Sequence, residues 1–125
     1  MFAINEDKSI YLTRGDVANI EVMTQLSDGA NYTFQVGEVI RFKVFMPKEC
    51  ESVILQKDVI VEEATETVTI YLGKNETKFG DFISKPVNYW YEIEVNPDTE
   101  PQTIVGYDDE GAKILRLFPE GGNAE

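Results

Sequence analysis

Strict alternation of apolar and polar side chains in short segments constrains this chain more than any other feature, and Asn88–Val95 shows it best. Successive side chains of an extended strand point to opposite faces. One face of this segment is apolar and the other is polar apart from a tryptophan; the first holds Tyr89, Tyr91, Ile93 and Val95, and the second holds Trp90, Glu92 and Glu94. The segment is therefore predicted to be a strand that covers a core with its tyrosine face.

The same period recurs along most of the chain. It is found in Ser9–Arg14, Ala18–Thr24, Glu38–Met46, Ser52–Val61, Thr67–Leu72, Thr103–Tyr107 and Ala112–Phe118. In Glu38–Met46 it places Met46 inward with Ile40, Phe42 and Val44. Many short strands at this spacing, without a long helix, predict an all-β fold: an immunoglobulin-like antiparallel β-sandwich of seven to eight short strands.

The segments that lack this alternation are predicted to connect the strands. Residues 73–85 lack it, and Asn75 there can cap at most one short helix near 75–79. The last two strands are predicted to form a hairpin around Asp108–Gly111. Residues 1–120 are expected to form a single sandwich domain, and residues 121–125 a flexible tail.

Composition limits the chemistry open to the chain. It has 125 residues, a single cysteine, no histidine and a net charge of −12. Lack of histidine removes the commonest general base and zinc ligand, and the negative surface disfavours nucleic acid and anionic membranes as partners. Because the N-terminus has no basic stretch followed by an apolar one, no secretory signal is expected.

Several acidic groups invite a functional interpretation, and each has a plainer alternative. Glu92 and Glu94 share one face of a strand at a separation that a glycosidase could use, but a solvated outer strand face is the favoured interpretation. Asp108, Asp109 and Glu110 offer oxygen ligands for Ca²⁺, or are simply an acidic hairpin turn. Cys50, between two glutamates, is not expected to act as a nucleophile.

Three further features stand out. Trp90 is either covered by the loop Phe79–Ile83 or is an interface anchor, a role in which tryptophan is over-represented. Tyr89 or Tyr91 is a candidate for a tyrosine corner, which bonds a backbone group upstream. Arg14-Gly15-Asp16 spells an integrin-recognition tripeptide, but a turn between the first two strands is the simpler interpretation.

With the strands placed, the chain resembles a known group of proteins. The matching elements are Leu12-Thr13-Arg14-Gly15-Asp16 before Ala18–Val22, Val39–Val44 after Gly37, Tyr89-x-Tyr91-Glu92-Ile93, and Thr103-Ile104-Val105-Gly106 with Gly111 and Leu117-Phe118-Pro119-Glu120-Gly121. They resemble the small immunoglobulin-like β-sandwich domains of tailed-phage and prophage structural proteins, which include baseplate and tail-associated domains.

The resemblance implies a non-enzymatic virion structural or assembly module that is made in the bacterial cytoplasm and then resides in the virion. It implies contacts with other virion structural proteins, leaves a homo-oligomer open, and carries over no catalytic residue, cofactor or metal. The expected interface candidates are Trp90, Glu92, Glu94, Asp108, Asp109 and Glu110. The alternative is a carbohydrate-binding host-recognition module, for which Tyr11, Tyr32, Tyr71 and Trp90 are the candidate stacking platforms.

Overall fold

The computed structural model describes residues 1–26, 28–47, 49–80, 83–106 and 111–120, with residues 49–51 described by their backbone alone. The strands are β1 (Phe2–Ile4), β2 (Ile10–Thr13), β3 (Ala18–Val22), β4 (Val39–Met46), β5 (Glu49–Ile60), β6 (Val68–Leu72), β7 (Val87–Val95), β8 (Gln102–Val105) and β9 (Lys113–Phe118). Within these ranges the only helix is one 3₁₀ turn, Glu76–Lys78. The all-β prediction is therefore confirmed. The immunoglobulin-like assignment stays a prediction.

The strands form two sheets of unequal size. Seven belong to one sheet, in the order β1-β2-β9-β7-β4-β5 with β8 also on β7, and β3 and β6 form the second sheet. Within the part of the chain described, every strand pair is antiparallel except β2 with β9. This parallel pair departs from the purely antiparallel expectation, and it joins the chain's second strand to its last.

One core lies between the two sheets. The alternation predicted for β7 is confirmed, because Tyr89, Tyr91, Ile93 and Val95 are all buried. Ile20 and Ile70 of the smaller sheet belong to the same buried cluster as these residues. The sandwich thus has an inner surface facing the core, and the larger sheet has an outer face that no second sheet in the described ranges covers.

The predicted hairpin between the last two strands is wrong. β8 pairs antiparallel with β7 at Ile93–Val95, and β9 pairs antiparallel with β7 at Val87–Tyr91. Since β4 lies along the other side of β7, β8 and β9 run in the same direction along one side of β7, end to end. β8 and β9 therefore do not pair with each other as the two arms of a hairpin.

Other expectations on strands and caps also need correction. β1 is not among the predicted strands, so the described residues form nine strands rather than seven or eight. Met46, predicted inward, is 37% exposed. It lines a surface pocket with Ile83 and Tyr89 on the core side of the sheet, at the end of β4, where the β4–β5 register shifts. Asn75 makes no side-chain capping bond.

Candidate interaction surface

The outer face of the larger sheet, formed by the outward side chains of β5, β4, β7 and β9, carries an apolar row across its strands. Cross-strand register places four residues side by side in this row: Val53, Phe45, Trp90 and Ile114. Directly opposed side chains on neighbouring strands are in contact range. We call these four residues the apolar row.

Trp90 lies in the middle of the apolar row. Its ring meets that of Phe45 edge to face, with the centroids 6.5 Å apart and the planes at 82°, which is a favourable aromatic geometry. Trp90 itself is half-buried. Phe79 packs against Tyr89 on the core side of the sheet, and Ile83 joins the same core. Asp81 and Phe82, in the middle of the loop Phe79–Ile83, lie outside the described residues, so the loop interpretation for Trp90 is not tested.

On one side of the apolar row, Lys43 holds Glu92 and Glu94 together. Its ammonium nitrogen lies 3.0 Å from an oxygen of Glu92 and 3.1 Å from one of Glu94. Burial by itself lowers the pKa of Lys43, but the bonds to the two carboxylates outweigh it and raise that pKa above its ordinary value. One lysine therefore bridges the two acids and offsets one of their two negative charges, on the outer strand face where the plainer interpretation placed them.

A second ion-pair group extends this charged side. The Arg41 guanidinium donates two hydrogen bonds to the Asp58 carboxylate, with N–O distances of 2.9 and 3.0 Å, and a further one to Asp98 at 3.1 Å. The bonds to Asp58, the strongest influence, raise the pKa of Arg41 further above its already high value. Bidentate guanidinium–carboxylate pairs fix both partners in one geometry. The described charges of this flank are therefore all in ion pairs, but two cations face four carboxylates, which leaves a net charge of −2.

On the other side of the apolar row lies an aromatic group with one cation. The Arg116 guanidinium lies 5.6 Å from the centroid of the Phe118 ring, a cation–π distance, and it donates a hydrogen bond of 3.0 Å to the side-chain oxygen of Asn88. Phe118 meets Tyr11 edge to face at 5.6 Å. Arg116 is thus held beside the row by neutral partners.

The structure brings together only part of the predicted interface. Trp90, Glu92 and Glu94 lie on one face, as predicted, and within one patch. Asp108, Asp109 and Glu110 lie outside the described residues, so neither their interface role nor the calcium alternative is tested.

Alternation along β9 could have revealed Ile114, Arg116 and Phe118 as outward residues, since Leu115 and Leu117 are inward. Only the β-sheet register, however, shows that Ile114 neighbours Trp90.

The Arg14-Gly15-Asp16 tripeptide is part of the structural framework. The Arg14 guanidinium donates to a Glu120 oxygen at 2.9 Å and to the Lys78 carbonyl at 3.1 Å. The Gly15 amide donates to the Thr77 hydroxyl at 3.0 Å, and Gly15 has φ of +92°, a conformation that glycine adopts easily. The turn interpretation is confirmed: this tripeptide joins β2 to the 3₁₀ turn and to the chain after β9.

A separate cleft of about 380 Å³ opens between β8 and the chain that follows β3. Val95, Leu26 and Ile104 give it apolar walls, and Gln25 and Gln102 add amide groups.

Of the four candidate stacking platforms, only Tyr32 lines this cleft. Its hydroxyl donates to the Glu38 carboxylate, with distances of 2.8 and 2.9 Å to the two oxygens. Tyr11 and Trp90 lie on the outer face, and Tyr71 projects from the smaller sheet. The four aromatic residues therefore do not form one stacking surface.

Among the residues the structure describes, no group of three or more metal-ligating side chains converges, and no helix has the length and apolarity to cross a bilayer. Comparison with known proteins gives no match, either to a protein-family model or to a curated relative.

Proposed function

We propose that this protein is a non-enzymatic structural or assembly module of a phage or prophage virion, associated with the tail or baseplate, and that it acts through protein–protein contacts on the outer face of its larger sheet. The observation that carries the contact role is Trp90, half-buried in an apolar row that has an ion-paired flank on one side and an aromatic flank with Arg116 on the other. The virion setting is supported by the sequence resemblance to tailed-phage sandwich domains.

The outer face has the composition of a protein-binding surface. Such surfaces combine an apolar centre with a polar rim, and their energetic anchors are enriched in tryptophan, tyrosine and arginine. Here Trp90 occupies the centre, while Arg116 and Tyr11 lie on one flank. Because Lys43 and Arg41 already hold their carboxylates in ion pairs, the flank presents fixed charges that can select a partner.

The test is incorporation into particles. Cells that carry the gene with a small epitope tag are induced to produce phage particles, which are purified on a density gradient and probed for the tag. We expect the chain in the particle fraction, and a loss of at least about tenfold for Trp90→Ala, as for an anchor residue. The matched control is Tyr71→Ala, which removes a 51%-exposed aromatic from the other sheet and should leave incorporation unchanged. A chain absent from purified particles would overturn the proposal.

A second candidate function, carbohydrate binding, is favoured by one observation, the cleft beside β8. Amide groups such as Gln25 and Gln102 can bond sugar hydroxyls above its apolar walls. A glycan array with the full chain tests this candidate, and a positive signal should weaken in Gln102→Ala but persist in Trp90→Ala. An array without binding would dismiss it.

A further inference from the structure

We propose that the partner of the outer face is a second copy of this chain, packed face to face across the apolar row with two-fold symmetry. The proposal deepens the contact role argued above and rests on it. It concerns the nature of the partner, while the virion setting is a separate claim.

Charge is the first argument for a second copy. The chain carries −12 overall, so two copies repel each other over most of their surface. On the outer face, Arg41, Lys43 and Arg116 oppose Glu92 and Glu94 on strands β4, β7 and β9, and Asp58 on β5 balances Arg41. With Asp98, which also pairs with Arg41, the described side chains of this face carry three positive and four negative charges. The described part of the face is therefore close to neutral, at −1, and like copies meet less repulsion there than over the rest of the surface.

Geometry is the second argument. In a two-fold contact the same patch is used by both copies, so it must complement itself. An axis that runs along the apolar row, in the plane of the face, stacks the row of one copy on that of the other and reverses the strand direction. Sheets pack face to face in this way at a separation of about 10 Å. Trp90 then lies at the centre, against the apolar row of the second copy.

The same rotation makes the two flanks complementary. Asn88 and Glu92 lie on the same face of β7, two residues before and two residues after Trp90. Because the strand direction is reversed, Asn88 of one copy lies over Glu92 of the other. Arg116 is the cross-strand neighbour of Asn88. Arg116 of one copy therefore lies over a point that is one strand spacing, about 4.8 Å, to the side of Glu92 of the second copy. The long side chain of Arg116 can reach that carboxylate. The two-fold axis generates two such pairs, each with Arg116 from one copy and Glu92 from the other.

The experiment measures the self-association of the full chain by sedimentation equilibrium, followed in parallel by tryptophan emission. Trp90 is the only tryptophan in the sequence, so its emission reports directly on the centre of the face. We expect a dimer at about 0.1 mM, a concentration that saturates contacts with micromolar Kd, and a blue shift of the emission as the concentration rises.

Charge reversal identifies the surface. Arg116→Glu and Glu92→Arg each place like charges opposite one another, and each should raise the dimer Kd by at least about tenfold. The double variant restores opposite charges and should bring the Kd back to within about threefold of the original. Glu21→Arg, an exposed change on the smaller sheet, is the control and should leave the Kd unchanged or slightly lower. Circular dichroism of each variant verifies folding.

A wild-type chain that stays monomeric at 0.1 mM would overturn the proposal, as would a dimer that tolerates both single reversals or a double variant without recovery. These outcomes are distinct from failure of the virion role. A monomer that still enters particles removes only the second copy, whereas a dimer that never enters particles removes only the virion setting.

Discussion

The hydroxyl of Tyr91, in the middle of the larger sheet, donates a hydrogen bond to the backbone carbonyl of Lys8, in the turn between β1 and β2. Lys8 has φ of +71°, in the left-handed region, so the bond reaches a turn whose backbone is unusual for a residue with a side chain. Tyr91 thus ties the central strand to the edge of the sheet. A backbone bond upstream was predicted for Tyr89 or Tyr91, but the 83-residue separation excludes the short-range tyrosine corner.

Tyr91→Phe should lower the free energy of unfolding by about 1–2 kcal/mol, because it leaves the Lys8 carbonyl without the hydroxyl donor and keeps the ring in the core. Urea titration followed by circular dichroism measures the change. Tyr71→Phe removes the hydroxyl of a 51%-exposed side chain and serves as the control, with an expected change below about 0.5 kcal/mol. Equal losses in both variants would contradict the role given to Tyr91.

Alkaline pH should weaken the fold through the same residue. Burial, with a smaller contribution from the charge of Asp7, raises the pKa of Tyr91 to about 12 from the ordinary value of 10.0. A raised folded-state pKa means that the stabilisation is complete below pH 10 and is lost as the pH rises from 10 towards 12, by an amount on the order of 2–3 kcal/mol. Unfolding measured between pH 9 and pH 12 should therefore show a shallower decline in Tyr91→Phe. Parallel curves for the two proteins would refute this assignment.

Acidic pH should act through Glu38. Its carboxylate accepts bonds from the Tyr32 hydroxyl, the Gln35 amide and the Asn96 side chain. Burial alone raises the pKa of Glu38, but these three donors outweigh it and hold the pKa below the ordinary 4.5. The stabilisation is then present above pH 4.5 and is lost as the pH falls through the lowered folded-state value.

Glu38→Gln should cost about 1–3 kcal/mol at pH 7, since one amide group cannot accept all three bonds. It should also flatten the decline in stability between pH 5 and pH 3. Thermal unfolding across this range measures both effects. Glu66→Gln, at an exposed position, is the matched control. An unchanged pH slope in Glu38→Gln would show that the carboxylate does not titrate as argued.

Gly106→Ala should be destabilising by about 1–3 kcal/mol, because a Cβ atom there would lie 2.6 Å from the Thr103 methyl carbon. The double variant Gly106→Ala/Thr103→Ser removes that methyl group and should recover much of the loss. Gly29→Ala cannot serve as a control, because Gly29 has φ of +91° and a side chain there would add backbone strain of its own. Chemical denaturation of the single and double variants gives the comparison, and a single variant as stable as the wild type would contradict the close approach.

Local side-chain pattern predicted the strands other than β1 and most of the faces that they bury. The period of two in β3, β6, β7 and β9 follows directly from burial of one face, so local pattern and structure agree there. The same logic placed Trp90, Glu92 and Glu94 on one outward surface. It missed the exposure of Met46, which ends β4 where the β4–β5 register shifts, because the pattern of one strand alone does not reveal where the register of its partner changes.

Only the tertiary structure decided which strands are neighbours. Pairing depends on backbone hydrogen bonds between segments far apart in sequence, and those bonds carry no side-chain signature in either segment alone. For this reason the parallel β2–β9 pair, the end-to-end course of β8 and β9, and the position of Ile114 beside Trp90 could not be read from the chain. The apolar row exists because sheet register aligns single residues from four strands.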